Sequence, residues 1–443
     1  MKHSLLRRFL VVIGTVAFCG MPFASASAHS SRATAHSPMP VTFFGDWKSG
    51  EETDFKAILS YCDAHYNTKT TYQPSVADLA TELSTKVQGG NAPDVAGAPP
   101  QASIKLYVQG GSLQPLTFLN KSKLLKQYGP AWVKLGTFNG KLYSIYMKTD
   151  MKALVWYSPK KFAKGHYKIP KTWAQMVALS KLMVKRGLHP WTFGGGGTPP
   201  SPWTLSDFFD NVYFQVAGAK LYDKLVAHTI KWTDASVKKT FQVMNQIVGN
   251  SAMIAGGRAR ALSQSWDQAA KQMVTDPGAM FFSEATFVGA GLRADLPKKK
   301  EGVDYSAFSF PQYKKNPALP VTVGVNGILM FHNTPGAKAL MTCLTDPKAL
   351  AQWAKLGGYL SPNTAVPLSA YPDNLTRNIA KTLSKSSIAG LVRVGADDLM
   401  PAAVGGSPAG CMPVELQKWF KTPSSYPARM SSLEACAKRT YGH

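Results

Sequence analysis

The run Pro190–Asp207, PWTFGGGGTPPSPWTLSD, sets Gly194–Gly197 between Trp191 and Trp203, with prolines at 190, 199, 200 and 202. Three kinds of fold house such a run: one with a nucleotide loop, one with a linker between domains, and one with a loop lining a site for an uncharged ligand. A phosphate-gripping loop needs G-x-x-x-x-G-K-[ST], its lysine on the phosphates and a helix start facing them. Gly197 is followed by Thr198, Pro199 and Pro200, so the lysine and the helix are both missing. A linker and a lining loop stay open. Glycines suit the second because they let the backbone bend and approach closely without a side chain in the way.

The N-terminus settles the compartment. Lys2, Arg7 and Arg8 precede the apolar run Phe9–Cys19 and the small-residue stretch Ala24–Ala28. That order reads as a secretory signal peptide over 1–28, followed by a disordered lead-in over 29–39. A lipid-attachment site needs a small residue before Cys19, where Phe18 stands, so a periplasmic protein is expected rather than a lipid-anchored one. No other stretch approaches the ~18 uninterrupted apolar residues of a membrane span.

The 443 residues carry a net charge of +25, falling to +22 when Lys2, Arg7 and Arg8 leave with the signal peptide. A basic chain invites a nucleic-acid reading. Against it, the lysines are scattered, Lys298–Lys300 being the longest run, and no helix-turn-helix, zinc-finger or RRM signature is present. The excess comes as much from missing acids: charged residues make up 17%, against a typical ~25%. Few carboxylates means little charge change in acid, so an acidic habitat is expected. After loss of Cys19 four cysteines remain: Cys62, Cys343, Cys411 and Cys436. In an oxidising compartment this favours disulfides over buried thiols, with three pairings open.

Strand and helix signals alternate. Val41–Phe44 is β-rich, and Phe55, Ile58, Leu59 and Cys62 then recur on one helical face. A second helix stops at Gly89–Gly90 before a strand at Val95. Thr172 caps a third, with Trp173, Met176, Val177, Leu179 and Leu182 on one side and Gly187 at its end. Asp346–Pro347 breaks a fourth stretch into two helices. The alternation predicts an α/β fold with largely parallel sheets.

Catalytic motifs are absent: there is no H-E-x-x-H, G-x-S-x-G or C-x-x-C, and the histidines lie singly, so neither a metal nor a cofactor is expected. A carboxylate pair for glycoside hydrolysis needs only proximity in space. A secreted glycoside hydrolase is therefore the alternative, with Glu51, Glu52, Asp150, Asp207, Glu284 and Asp398 as candidates. The ends of the predicted strands offer instead flat apolar faces in Trp47, Tyr146, Trp203, Phe287 and Tyr359. Hydrogen-bonding groups join them in Asp46, Glu51, Gln101, Lys148, Asp207, Glu284, Asn326 and Asp398. Aromatic faces cover the C–H side of a pyranose while carboxylates and amides take paired hydroxyls. The competing reading of the aromatics is ordinary core.

From about residue 41 to about residue 405, the order of segments resembles an extracytoplasmic solute-binding protein of a bacterial sugar ABC transporter, in its α-glucoside-binding branch. GDWKSGEE (45–52), GGNAPDVAGAPPQA (89–102) and HPWTFGGGGTPPSPWTLSDFFDNVYFQVAG (189–218) carry the likeness. WAKLGGYLSPN (353–363), YPDNLTRNIA (371–380) and DDLMPAAVGG (397–406) are its most specific tokens. The segment Trp132–Phe162 is similar to the family's crossing between lobes. Asn326, where an aspartate is expected, and Glu284 depart from the pattern. The resemblance implies two α/β lobes joined by a multi-strand hinge, one from 40–150 with 306–360, the other from 151–305 with 361–443. A monomer is expected to bind a mono- or disaccharide, an α-glucoside above all, in the cleft. It would deliver the sugar to the permease subunits of the importer, with no catalysis and no nucleic acid. The glycine run becomes a cleft-lining loop of the second lobe. A bridge between lobes would oppose hinge motion, so this lobe division also implies Cys62–Cys343 and Cys411–Cys436.

Overall fold

The computed structural model describes residues 37–442, apart from 48, 77–78, 99–100, 199 and 317, and apart from the side chains of 49–50 and 101–103. The signal peptide and most of the lead-in lie outside these residues. Twelve strands are described: β1 (Met39–Gly45), β2 (Thr68–Pro74), β3 (Val95–Gly97), β4 (Thr137–Phe138), β5 (Lys141–Leu142), β6 (Ser144–Met151), β7 (Leu154–Tyr157), β8 (Trp191–Thr192), β9 (Phe281–Ser283), β10 (Ser306–Ser309), β11 (Val321–Met330) and β12 (Val392–Val394). The first begins at Met39, inside the expected lead-in.

Local chemistry accounts for the helices. Ser49–Tyr66 buries Phe55, Ile58, Leu59 and Cys62, all at most 4% exposed, against β1 and β2. The helix Trp173–Lys185 starts in a capping box, Thr172 with Gln175, a device worth about 1 kcal/mol. Its Trp173, Met176 and Val177 are buried, whereas Leu182 is 41% exposed. Asp346 caps Pro347–Leu356 after Pro335–Cys343 has ended.

Two sheets, each wrapped in helices, form two lobes. The first runs β12-β11-β3-β1-β2, with β6 on the other side of β11; the second runs β10-β7-β9-β8. Both are mixed, not largely parallel: β1 lies parallel to β2 and β3, but β11 runs antiparallel to β3 and β6, and β7 antiparallel to β9 and β10. The reason is the crossing. Strand β6 leaves the first sheet and enters β7 of the second through Lys152 and Ala153 alone, and β11 brings the chain back beside it in the opposite direction. Phe310 N donates to Ala153 O (2.9 Å) and Lys152 N to Thr322 O (2.8 Å), so outgoing and returning segments touch at the junction. By pairing, Ser306–Ser309 belongs to the second sheet and Val392–Val394 to the first.

Cys62 is bonded to Cys343 and Cys411 to Cys436, with Cα–Cα distances of 5.6 and 6.5 Å. The first joins two helices that both pack on β2; the second joins the last two helices, Cys411–Lys421 and Tyr426–Tyr441.

Candidate functional site

Side chains two apart on a strand share a face. In β6 that rule puts Lys148 and Asp150 on one face, which Lys152 continues just past the strand. Lys148 Nζ lies 3.2 Å from Glu51 Oε1 and 3.1 Å from Asp150 Oδ2. Burial works against its ammonium form, but Asp150 and Glu51 outweigh that and hold the group above its ordinary range. Asn326 of β11 sits opposite Lys148, and the register slips between Asn326 and Gly327 so that Met147 has no partner. Tyr359 donates its hydroxyl to the Met147 carbonyl. A Cβ on Gly327 would lie 2.8 Å from Ser144 Oγ and 2.9 Å from Ala98 Cβ, so the slip needs glycine here. From the second lobe Thr286 Oγ1 donates to Asp150 Oδ1 at 2.8 Å.

Lys152 sits at the crossing. Its Nζ is 2.6 Å from Asp207 Oδ1, 3.4 Å from Asp398 Oδ2 and 3.9 Å from Asp397 Oδ1. Asp207 and Asp210 come from the helix Trp203–Ala217, Glu284 from the end of β9, and Asp397 and Asp398 from the short helix after β12. Burial raises the pKa of all four enclosed carboxyls, Asp207, Asp210, Glu284 and Asp397. Glu284 stands well above the carboxylate range, first because it is buried and then because of the charge of Asp207. Oxygens of Asp207, Asp210 and Asp397 approach within 4.8 Å of one another, a spacing that suits a cation. Lys152 already supplies the positive charge there.

Beside this cluster lie three half-buried rings, each at a helix start. Trp203 and Trp266 both pack edge-on against Phe287, at 5.8 and 5.0 Å. The glycine run positions Trp203. It is buried, and Gly195 N donates to Ala261 O (2.8 Å) and Gly196 N to Gln264 O (3.1 Å). Ser201 Oγ donates to Gly194 O (2.7 Å) and accepts from Trp266 N (2.9 Å). The backbone these glycines approach is thus the protein's own, and the run ties two tryptophan-bearing helices together. A Cβ on Gly196 would fall 1.9 Å from Leu262 O. The Gly196→Ala variant is accordingly expected to lose about 1–3 kcal/mol in urea unfolding. A variant as stable as the parent would mean that the two loops are not held this closely.

Residues 56–380 match the family model described as bacterial extracellular solute-binding protein. The chain belongs to this family. It is 32% identical over 332 residues to the osmoprotective compounds-binding protein GgtB of Synechocystis sp., covering 74% of this chain and 77% of that one. It is 29% identical over 376 residues to the alpha-glucosides-binding periplasmic protein AglE of Rhizobium meliloti, covering 82% and 80%. Among solved structures, the apo form of RafE from Streptococcus pneumoniae superposes with a TM-score of 0.74 at 15% identity, covering 91% of this chain and 98% of that one. That likeness carries the two-lobed fold. Among the described residues no helix is long and apolar enough to cross a membrane.

In this solute-binding protein the expected site residues separate into groups. Glu51, Lys148 and Asn326 meet along β6, and Trp203 meets Phe287. Asp46 is exposed in the loop after β1, and Asp398 keeps a side chain 40% exposed beside Lys152. Gln101 begins the helix Gln101–Gln109; its side chain lies outside the described residues. Trp47, Tyr146 and Tyr359 do not offer aromatic faces here: all are at most 3% exposed. Trp47 packs on Phe55, Phe43 and Trp353, Tyr146 against Trp132, and Tyr359 on Trp353. Apolar burial claims rings at strand ends wherever helices close over them. Asp207 and Glu284, at 1% and 0%, are likewise enclosed, Asp207 accepting from Lys152 and Glu284 from the Ala285 amide. Lys152, Asp210, Trp266, Thr286 and Asp397 were not expected from the sequence, and Asp150 only as a hydrolase candidate. The alternation of charge in MKTDMK (147–152) was a readable signal for Asp150 and Lys152.

Proposed function

We propose that this protein captures an α-glucoside or related oligosaccharide, of mono- or disaccharide size, between its lobes and delivers it to the permease of an ABC importer, without catalysis. One observation carries the reading. The half-buried Trp203, Trp266 and Phe287 adjoin the charged face of β6 through the Thr286–Asp150 bond of 2.8 Å. Rings that cover a pyranose thus stand next to groups that take its hydroxyls. The relative named for α-glucosides supports a sugar ligand.

On this reading Asp46, Glu51, Gln101, Lys148 and Asn326 serve from the first lobe and Trp203, Phe287 and Asp398 from the second, joined by Asp150, Trp266 and Thr286. Trp47, Tyr146, Tyr359, Asp207 and Glu284 support the site from behind. We take the lobes as 40–150 with 306–360 and 151–305 with 361–443; the pairing of Ser306–Ser309 with β7 and of Val392–Val394 with β11 favours crossings after Ser309 and after Val394. The protein acts as a periplasmic monomer. Asp207 and Glu284, both candidates for a hydrolase's carboxylates, are at most 1% exposed, so no glycosidic oxygen reaches them.

Calorimetry with glucose, trehalose, maltose, sucrose and the β-linked cellobiose tests the reading. An α-linked sugar should bind with micromolar affinity or better, about −8 kcal/mol. No heat with any of them, together with glucose release from a glycoside, would favour the hydrolase. The Trp203→Ala variant should bind at least about tenfold more weakly, about 1.4 kcal/mol, with unchanged unfolding. Undiminished affinity in a folded variant would return Trp203 to the core.

A further inference from the structure

Five carboxyls and one ammonium meet where the lobes join. Around Asp207 and Asp210 stand Lys152 from the β6–β7 link, Glu284 after β9, Asp397 and Asp398 after β12, and the phenol of Tyr222 from the helix Ala219–Val226. Four of the carboxyls are at most 9% exposed: Asp207, Asp210, Glu284 and Asp397. Three of them accept from backbone amides: Asp210 from Ala396 N (2.6 Å), Glu284 from Ala285 N (2.8 Å) and Asp397 from Asp398 N (3.0 Å). Asp207 Oδ2, Glu284 Oε2 and Asp210 Oδ1 are buried and accept from no donor group. One ammonium cannot balance this set, and buried carboxyls without a counter-charge take up protons instead of remaining ionised.

We propose that this cluster is a proton-operated latch at the lobe junction. It keeps two protons at neutral pH, one between Glu284 and Asp207 and one in the Asp210–Asp397 pair, and their loss on alkalinisation loosens the junction and weakens ligand retention. The helices that carry the aspartates pack on the first lobe, Trp203–Ala217 on β11 and Ala396–Leu399 on the helix Gln101–Gln109, and Lys152 lies in the link between the two sheets. New negative charge is therefore buried where the second lobe packs on the first, and it loosens that contact. The raised pKa values of all four buried carboxyls, set first by burial, agree with this. The folded state then binds more protons than the unfolded one. Stability is greatest at and below the ordinary carboxyl range and falls as pH rises towards the folded values, about tenfold in the folding equilibrium per pH unit for each retained proton.

The ligand arm rests on the sugar-binding reading; the stability arm does not. Urea unfolding of the exported chain between about pH 5 and about pH 9 should show that decline. The Glu284→Gln/Asp210→Asn variant, which keeps the hydrogen bonds but cannot ionise at these positions, should flatten it. Parallel slopes in parent and variant would overturn the proposal. Should the variant not fold, infrared spectroscopy of the parent decides: a protonated-carboxyl stretch at neutral pH that disappears on alkalinisation is expected, and its absence overturns the proposal. Trehalose affinity followed over the same range should fall in the parent and hold in the variant, and a flat parent profile would refute the latch. If trehalose does not bind, the α-linked sugar that binds in the calorimetric screen takes its place; if none binds at any pH, the sugar reading fails, while the unfolding slopes still decide whether the protons are there.

Discussion

Replacing Cys62 and Cys343 together by alanine is expected to lower the unfolding free energy by about 4–5 kcal/mol, the upper end of the range for a disulfide. The bridge joins positions 281 residues apart, and the entropy it removes from the unfolded chain grows with the length of the loop it closes. Both cysteines are 0% exposed, between the helices Ser49–Tyr66 and Pro335–Cys343, so the thiols are also core. Removing Cys411–Cys436, which spans 25 positions, should cost less, about 3 kcal/mol. Guanidinium unfolding of the two variants beside the parent checks the order. An unchanged midpoint for the first variant would show that the unfolded chain is already compact enough to make the bridge redundant.

The second large effect belongs to Lys152. With the Lys152→Met variant the hydrocarbon stem is kept and the ammonium lost, which leaves Asp207 enclosed without its 2.6 Å partner. Breaking a buried pair on one side costs about 3–5 kcal/mol, because the remaining charge has no water to return to. Burial and neighbouring charge raise the enclosed carboxyls, so the loss should be largest above neutrality and shrink in acid, where protons replace the missing cation. Adding Asp207→Asn should restore part of the stability. Equal losses at acid and alkaline pH would mean that packing of the lysine stem, not its charge, is what the variant removes.

Local features of this chain could be read from its residues. The face Phe55–Ile58–Leu59–Cys62, the cap at Thr172, the break at Asp346–Pro347 and the stop at Gly89–Gly90 depend on periodicity and on chemistry within a few positions. Strand direction was less legible. A largely parallel order was expected, and the antiparallel β6–β11 pair exists because the chain crosses between lobes and returns. The glycine run was read as a cleft-lining loop; that its backbone packs on residues 261–266 of the protein itself is a matter of tertiary packing.

The same division runs through the site. Residue type and strand-end position singled out Lys148, Trp203, Asp207, Glu284 and Phe287, and the likeness to a solute-binding family gathered them towards one cleft. Sequence by itself determined the shortage of acids, the helices and the supply of rings and hydrogen-bonding groups. Only the tertiary structure decided which of those groups face outwards. Trp47 and Trp203 look alike in sequence, yet Trp47 is sealed beneath Phe55 and Trp353 while Trp203 stays half-open beside Phe287. Asp207 looks like a ligand contact until Lys152, 55 positions away, is found at its oxygen. Burial and charge pairing depend on distances through space between segments remote in the chain, and those distances exist only once the lobes have packed.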